Sequence, residues 1–282
     1  MTQEVGSPSL RLATEQDFER IYPLLTELSS RLDVLDWKRL FTNHWKASEF
    51  RPGFILESEN EVVGFIATIY KRRSVHGQQF MTCNLSSWIV REEYRSSSIL
   101  LLLKLLRDKQ VIYTSFSSND VSYEVYKRLK FEDDESYAHV FYPFPSLGMG
   151  RCQIITDEDQ IKSVLTPEEM ALCRDHSGFK CRSVLIRAEN GGSCWLLVGV
   201  RDRKMKVYYA SDPQFLREHI CDFRWRLMRR FGVVKLYVGG NIIKDSKPFL
   251  TRRKNYAHPH QIRSPGTQTV DRLYSELLLL DM

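Results

Sequence analysis

Two hydrophobic patterns meet in Val90-Arg-Glu-Glu-Tyr-Arg-Ser-Ser-Ser-Ile-Leu100, and this junction constrains the fold of the 282-residue chain more than any other stretch. Before it, Met81 to Val90 reads as a strand. After it, Ile99 to about Lys109 reads as an intensely apolar helix opened by serines. Val111 to Phe116 follows as a buried strand, Asp120 to Leu129 as a helix and Tyr137 to Tyr142 as a further strand. An apolar helix threaded between strands must bury its surface on a sheet, which places the chain among α/β and α+β folds.

The upstream residues extend this unit. Leu10 to Thr14 reads as a short strand, with Thr14 as N-cap of a helix to about Leu28 whose apolar face holds Phe18, Ile21, Leu24, Leu25 and Leu28. A second helical stretch covers Leu35 to Trp45 and is broken at Arg51-Pro-Gly53. Phe54 to Glu57 and Val62 to Tyr70, joined through Ser58-Glu-Asn60, form a hairpin pattern, and a polar loop from Lys71 to Gln79 leads to the third strand.

Pro143, Pro145, Gly148 and Gly150 cluster and mark a boundary, giving expected domains at 1–145 and 151–282. The second half repeats the element order: a helix at Pro167 to His176, strands at Cys181 to Glu189, Cys194 to Val200 and Lys204 to Ala210, a helix from Pro213 to Arg230 and a strand at Val233 to Val238. Asn190-Gly-Gly-Ser193 supplies a hairpin turn. The tail from Ile243 is basic and polar, and Val270 to Leu280 closes the chain as a short apolar helix. The expected architecture is a mixed, mostly antiparallel central sheet flanked by helices, duplicated in two domains.

The junction also carries the chemistry. A helix N-terminus presents amides without intrahelical partners and a positive dipole end, which suits a pyrophosphate, and three serines let a ligand approach the backbone. In this setting the segment resembles motif A of the GNAT acyl-CoA N-acyltransferases, in which a strand leads to R/Q-x-x-G-x-G/A and a helix. Asn119-Asp-Val-Ser-Tyr-Glu-Val-Tyr-Lys-Arg-Leu-Lys-Phe131 resembles that family's later helix ending in Y-x-x-L-G-F, and the likeness in element order spans Leu10 to Tyr142. The resemblance implies that Val90, Arg95, Ser96, Ser97, Ser98, Ile99 and Leu100 surround the pyrophosphate of acetyl-CoA or another acyl-CoA as co-substrate. It further implies that Asn119 lies near the pantetheine arm and that Tyr126 protonates the leaving thiolate.

The same resemblance implies direct attack of an acceptor amine or hydroxyl on the thioester, with amides of the splayed third strand polarising the carbonyl. A loose likeness to two-domain bacterial members suggests a small-molecule or glycan acceptor, such as an amino sugar. The third strand offers Asn84 and Ser86 but no carboxylate or histidine before Glu92, so the general base is not identified. Three departures bear on the site. Ser98 and Leu100 stand where glycine or alanine is usual, and Lys130 replaces a glycine at a helix end, at about 1 kcal/mol. The competing reading is a catalytically inactive GNAT-fold binding or scaffold protein, its nest blocked by Leu100.

In the second half the corresponding junction, Tyr209-Ala-Ser-Asp-Pro213, has an acidic residue and a proline without an N–H. That half is expected to lack the pyrophosphate loop. Asp175-His176 is read as structural, and Arg224, Arg226, Arg229 and Arg230 as a solvated helix face, with an anionic acceptor second. The net charge of +6 and pI near 8.9 fit either a mild preference for anions or an ordinary lysine- and arginine-bearing surface. Six cysteines without a C-x-x-C pair suggest neither a zinc site nor a disulfide framework, so no metal is expected. No apolar run reaches membrane-span length and Met1 to Leu10 lacks a secretory pattern, so the expected compartment is the cytoplasm. Nucleic acid is not an expected partner, because the basic residues Lys244 to Lys254 are not interleaved with stacking aromatics beyond Tyr256. A homo-oligomer is left open.

Overall fold

The computed structural model describes residues 7–45, 47–75, 78–145, 152–189, 191–244, 250–266 and 270–280. In chain order its elements are β1 (Ser9–Leu12), α1 (Phe18–Leu28), α2 (Val34–Lys38), β2 (Gly53–Ser58), β3 (Glu61–Val75), β4 (Gln78–Val90), α3 (Ser98–Leu105), β5 (Val111–Ser115), α4 (Asp120–Arg128) and β6 (Glu132–Phe141). They continue as β7 (Cys152–Ile155), α5 (Glu158–Lys162), α6 (Pro167–His176), β8 (Cys181–Ala188), β9 (Ser193–Arg201), β10 (Lys204–Ala210), α7 (Pro213–Arg230), β11 (Lys235–Gly239), β12 (Thr251–Arg263) and α8 (Glu276–Leu279). Short 3-10 turns precede α1, follow α2 and precede α3.

The chain divides into two units. The first holds residues 1–132, 260–269 and 274–282; the second holds 133–259 and 270–273. In the first, β1, β2, β3 and β4 pair antiparallel in turn, and β5 runs parallel to β4. The second repeats the scheme: β7, β8, β9 and β10 are antiparallel and β11 is parallel to β10. The mixed, mostly antiparallel sheet with helices is the expected fold.

The division differs from the expected 1–145 and 151–282 in the last strands. Residues Ala138–Phe141 of β6 pair with Gly239–Leu236 of β11, which assigns β6 to the second unit. Gln261–Arg263 of β12 pair with Ser115–Tyr113 of β5, in the first unit. The hydrogen-bonding edge beyond β5 is thus satisfied by residues some 150 positions away in sequence. The residues of β12, Thr-Arg-Arg-Lys-Asn-Tyr-Ala-His-Pro-His-Gln-Ile-Arg, lack two-residue alternation and hold a proline, which explains why the tail reads as irregular. Gly148, Gly150, Asn190 and Lys247 lie outside the described residues.

Packing in the first unit follows the apolar patterns. Leu101, Leu102, Leu105 and Leu106 are buried against Phe54, Leu56, Ile66, Leu85 and Tyr113, each leucine contributing about 2 kcal/mol of burial. On α1, Phe18, Ile21, Leu24 and Leu25 are buried as expected, while Leu28 is 39% exposed. The polar stretch read as a loop from Lys71 to Gln79 instead extends the β3–β4 hairpin to the pair Val75–Gln78. The β2–β3 turn places Glu59 and Asn60 at φ 50° and 66°, the left-handed pair of a tight hairpin.

At the end of α4, Lys130 lies at φ 66°, with the Phe131 N–H bonded to the Tyr126 carbonyl at 3.0 Å. This is a Schellman ending without its glycine. Replacing Lys130 with glycine is expected to raise the unfolding free energy by about 1 kcal/mol. In urea this reads as a higher midpoint at unchanged slope; an unmoved midpoint would show that the position carries no strain.

Candidate active site

The first unit opens a cleft where two parallel strands part. β4 and β5 pair only from Met81–Val111 to Asn84–Thr114, after which β4 runs on to Val90 and β5 stops at Ser115. Just past the separation β4 bulges: Ala67 faces Ser86 and Phe65 faces Ile89, and Ser87 takes φ 49°. A left-handed residue in a bulge leaves main-chain groups out of the β3–β4 ladder.

The resulting cleft, of about 230 Å³, is lined by Ser86, Ser87 and Trp88 of β4, by Ser115, Ser117 and Ser118 at the end of β5, and by Asn119, Ser122 and Tyr126 of the α4 region. Leu28, Trp37 and Leu280 supply apolar wall. Its size suits a small reacting group more than a drug-sized ligand. The buried indole N–H groups of Trp37 and Trp88 have no hydrogen-bond partner among the described residues. Each such orphan costs on the order of 1–3 kcal/mol.

Tyr126 is 2% exposed, packed on Trp88 and Phe131, and its phenol bonds to the Ser115 hydroxyl. Burial pushes its pKa up, so it stays a phenol across the physiological range and holds a proton to give. Asn119 caps α4: its side chain accepts from the Ser122 N–H at 2.9 Å and its own N–H donates to the Ser122 hydroxyl at 2.9 Å.

The structure therefore brings Tyr126 and Asn119 to one cleft. Val90 and the run from Arg95 to Leu100 are not on its wall. Val90 ends β4 against the core of the unit. Arg95, Ser96 and Ser97 belong to a 3-10 turn, Glu92–Ser97, and α3 begins at Ser98. The Ser98 N–H donates to the Arg95 carbonyl, so this amide is spoken for within the turn. Ser97, the N-cap of α3, makes no side-chain capping bond. The Arg95 side chain is 72% exposed and 3.9 Å from Glu92. Ile99 is half-buried and packs on the core, while Leu100 is 43% exposed.

One residue at the cleft escapes a reading by pattern. Glu276 is fully buried behind Ser117, whose hydroxyl donates to Glu276 Oε1 at 2.8 Å; the Phe116 N–H donates to the same oxygen at 3.3 Å. The Glu276 N–H donates to Asn84 Oδ1 at 3.0 Å, and Oε2 has no partner among the described residues. In sequence it is a single acid inside Leu-Tyr-Ser-Glu-Leu-Leu-Leu-Leu, and that isolated charge was the available signal. Burial raises its pKa from 4.5 to about 7.

A larger cavity of about 720 Å³ lies in the second unit beside Arg174, Arg182, Arg230 and His176. His176 offers no nitrogen for acid–base work, because Nδ1 and Nε2 are each 2.8 Å from a main-chain carbonyl, of Leu172 and Leu273. Asp212 caps α7 by accepting from the Phe215 N–H at 2.9 Å, and Pro213 follows as the first helical residue. Also in this unit, Cys152, His219 and Asp222 each place one ligand atom within 4.8 Å of the others. Burial keeps the Cys152 thiol protonated, and the trio falls short of the four ligands of a structural zinc site.

No protein-family model and no curated protein matches this chain. Solved structures do. A conserved protein of Enterococcus faecalis described as a probable N-acyltransferase aligns with TM-score 0.59 at 10% identity, covering 91% of this chain and 72% of its own. A GCN5-related N-acetyltransferase of Anabaena variabilis gives TM-score 0.57 at 10% identity, covering 90% and 72%. A tandem GNAT protein of the clavulanic acid biosynthesis pathway gives 0.54 at 9% identity, covering 93% of this chain and 100% of its own. At such identities the likeness is one of fold. Among the described residues no helix is long and apolar enough to cross a membrane.

The Glu276 carboxyl makes a prediction about stability. Between pH 4.5 and about 7 the folded chain holds a proton that the unfolded chain has released, so this group's stabilisation is full below pH 4.5 and lost as the pH rises through 7. Relative to wild type, Glu276→Gln should gain on the order of 3 kcal/mol between pH 4.5 and 8. Unfolding curves of both proteins across that range check it, and a difference that is flat with pH would contradict it.

Proposed function

We propose that this chain, which has the fold of the GNAT N-acetyltransferases in a two-domain arrangement, transfers an acetyl or other acyl group from acyl-CoA to an amine or hydroxyl of a small or sugar acceptor. The observation that carries this reading is the parting of β4 from β5 beside Ser87, with Tyr126 on the wall of the gap. Amides of the bulge would hold the thioester carbonyl and stabilise the oxyanion as the acceptor attacks. Tyr126 would protonate the leaving thiolate, the role its buried, fully protonated phenol suits.

The coenzyme's pyrophosphate would sit at the start of α3, with Val90, Arg95, Ser96, Ser97, Ser98, Ile99 and Leu100 around it and Asn119 near the pantetheine arm. The exposed Arg95 guanidinium supplies a charge for it, and the uncapped α3 N-terminus supplies the dipole. The acyl-CoA is a co-substrate, and no step calls for a metal.

A second reading has its own support. The Ser98 amide is closed into the 3-10 turn, and no residue from Arg95 to Leu100 is left-handed, so the phosphate nest of a glycine-bearing loop is not preformed. A chain that kept this closed would be an inactive GNAT-fold binding or scaffold protein.

Thermal melting with acetyl-CoA separates the two. A ligand held by the folded state raises the midpoint, and at a hundredfold excess over its dissociation constant it adds about 2.7 kcal/mol. A midpoint unmoved at millimolar acetyl-CoA would favour the inactive reading. Given binding, Tyr126→Phe is expected to lower turnover by at least about tenfold while changing cofactor affinity less than about twofold, in keeping with the usual yield of general acid catalysis. Equal turnover in wild type and variant would take Tyr126 out of the reaction.

A further inference from the structure

The C-terminal segment brings a buried acid behind Ser117 of a cleft whose lining residues, among those described, include no carboxylate or histidine. Residues 270–273 belong to the second unit, and the chain is again part of the first from Tyr274 onward. There Trp45 meets the Tyr274 ring edge-on at 5.1 Å, the Lys71 ammonium and Arg73 guanidinium lie over that ring at 4.9 and 5.2 Å, and Arg39 donates to the Leu279 carbonyl at 3.3 Å. So fastened, the segment sets Glu276 behind Ser117, and Leu280 forms part of the cleft wall. Packing alone accounts poorly for an acid here: a leucine would fill the same apolar surroundings, whereas the carboxyl loses its hydration and leaves Oε2 unpaired among the described residues.

We propose that Glu276 receives the acceptor's proton during acyl transfer, acting through the exposed hydroxyl of Ser117. The inference rests on the transferase reading of the cleft and supplies the base that reading lacks. As the acceptor nitrogen bonds to the thioester carbon and the carbon–sulfur bond breaks, the nitrogen proton passes to Ser117 Oγ and the Ser117 hydroxyl proton passes to Glu276 Oε1. The thiolate takes the Tyr126 proton, and Tyr126 is reprotonated from solvent through the Ser115 and Ser118 hydroxyls, whose oxygens are 3.4 Å apart. Ser117 meets the acceptor; Glu276 is a positioning residue one hydroxyl away.

The groups around Glu276 leave it free to titrate near neutrality. β4 presents the uncharged Asn84, the end of β5 presents Phe116 and Ser117, α4 presents the Tyr126 phenol, and His260 of β12 stacks on Phe116 at 5.0 Å. The cations of β3, Lys71 and Arg73, are held on the Tyr274 ring. Burial outweighs the hydrogen bonds and holds the carboxyl at about 7, so the carboxylate accumulates, and the rate should climb, as the pH rises through that value.

The test follows thiol release from acetyl-CoA, with ethanolamine and glucosamine as amine probes, from pH 5.5 to 9 in wild type, Glu276→Gln, Ser117→Ala and the double variant. Melting with acetyl-CoA is measured on each. Expected are a wild-type rise in kcat/KM with a midpoint near pH 7, its loss in Glu276→Gln with a plateau about a hundredfold lower, and no further loss in the double variant. The acetyl-CoA melting shift should be unchanged throughout. A rise with the same midpoint in Glu276→Gln, or additive losses in the double variant, overturns the relay and leaves the transferase standing. A wild type that binds acetyl-CoA but releases no thiol above background also overturns it. A wild type that shows no melting shift overturns the transferase reading itself.

Discussion

The buried amide of Asn84 is the interaction on which the first unit's site depends. It sits at the last paired position of β4 with β5, and its Nδ2 lies 3.2 Å from Thr114 Oγ1 while Oδ1 accepts the Glu276 N–H. A buried amide must find partners for both its ends. Here one partner comes from the strand that is about to diverge and the other from the C-terminal segment. The same side chain therefore ties the point of divergence to the piece of chain that walls the gap. An apolar residue of similar size would leave the Glu276 N–H and the Thr114 hydroxyl without these partners, so the geometry of the cleft and the placement of the acid stand or fall together.

The two units treat the same junction in opposite ways, and the difference is chemical. At α7 the carboxylate of Asp212 already takes the Phe215 amide, and Pro213 has no N–H, so the positive end of that helix is satisfied by its own residues. At α3 the N-cap Ser97 makes no such bond, and the approach is a 3-10 turn. Such a turn differs from an α-helical start by modest changes in backbone angle, and its hydrogen bonds have poorer geometry. At α7 the carboxylate is the cap itself, whereas the acids nearest α3, Glu92 and Glu93, lie at the far end of the 3-10 turn. The start of α7 is thus closed by its own carboxylate and proline, and the start of α3 by a 3-10 turn.

Much of this was legible in the sequence, because local patterns decide it. The apolar spacing of α1 and α3, the Pro213 and Asp212 start of α7 and the left-handed Lys130 each depend on neighbours a few residues away, and each is where the sequence places it. The exchange of β6 and β12 was not legible, since a strand's choice of partner is set by edges that only the folded units present. The 3-10 turn at Glu92–Ser97 escaped notice because serines suit an N-cap and a tight turn equally well. Glu276 escaped for a related reason: an acid among leucines looks like the polar face of a short helix until the chain's return to β4 and β5 buries it.

That return gives the basic tail a structural purpose. The residues of β12 up to Pro259 belong to the second unit and those from His260 to the first, where the pairing of Gln261–Arg263 completes the edge of β5 that the chain's own β6 leaves open. Ordering a segment so far along the sequence carries a loop-closure penalty that grows only slowly with length, so a long detour is tolerated if the pairing at its end is good. The gain is specific to the site, because pairing β12 beside β5 carries the following residues back to the ends of β4 and β5. An acid placed on β4 itself would alternate with core positions and displace a packed side chain. Delivered from the terminus, Glu276 reaches the serines of the β5 end without disturbing the sheet that shapes the cleft.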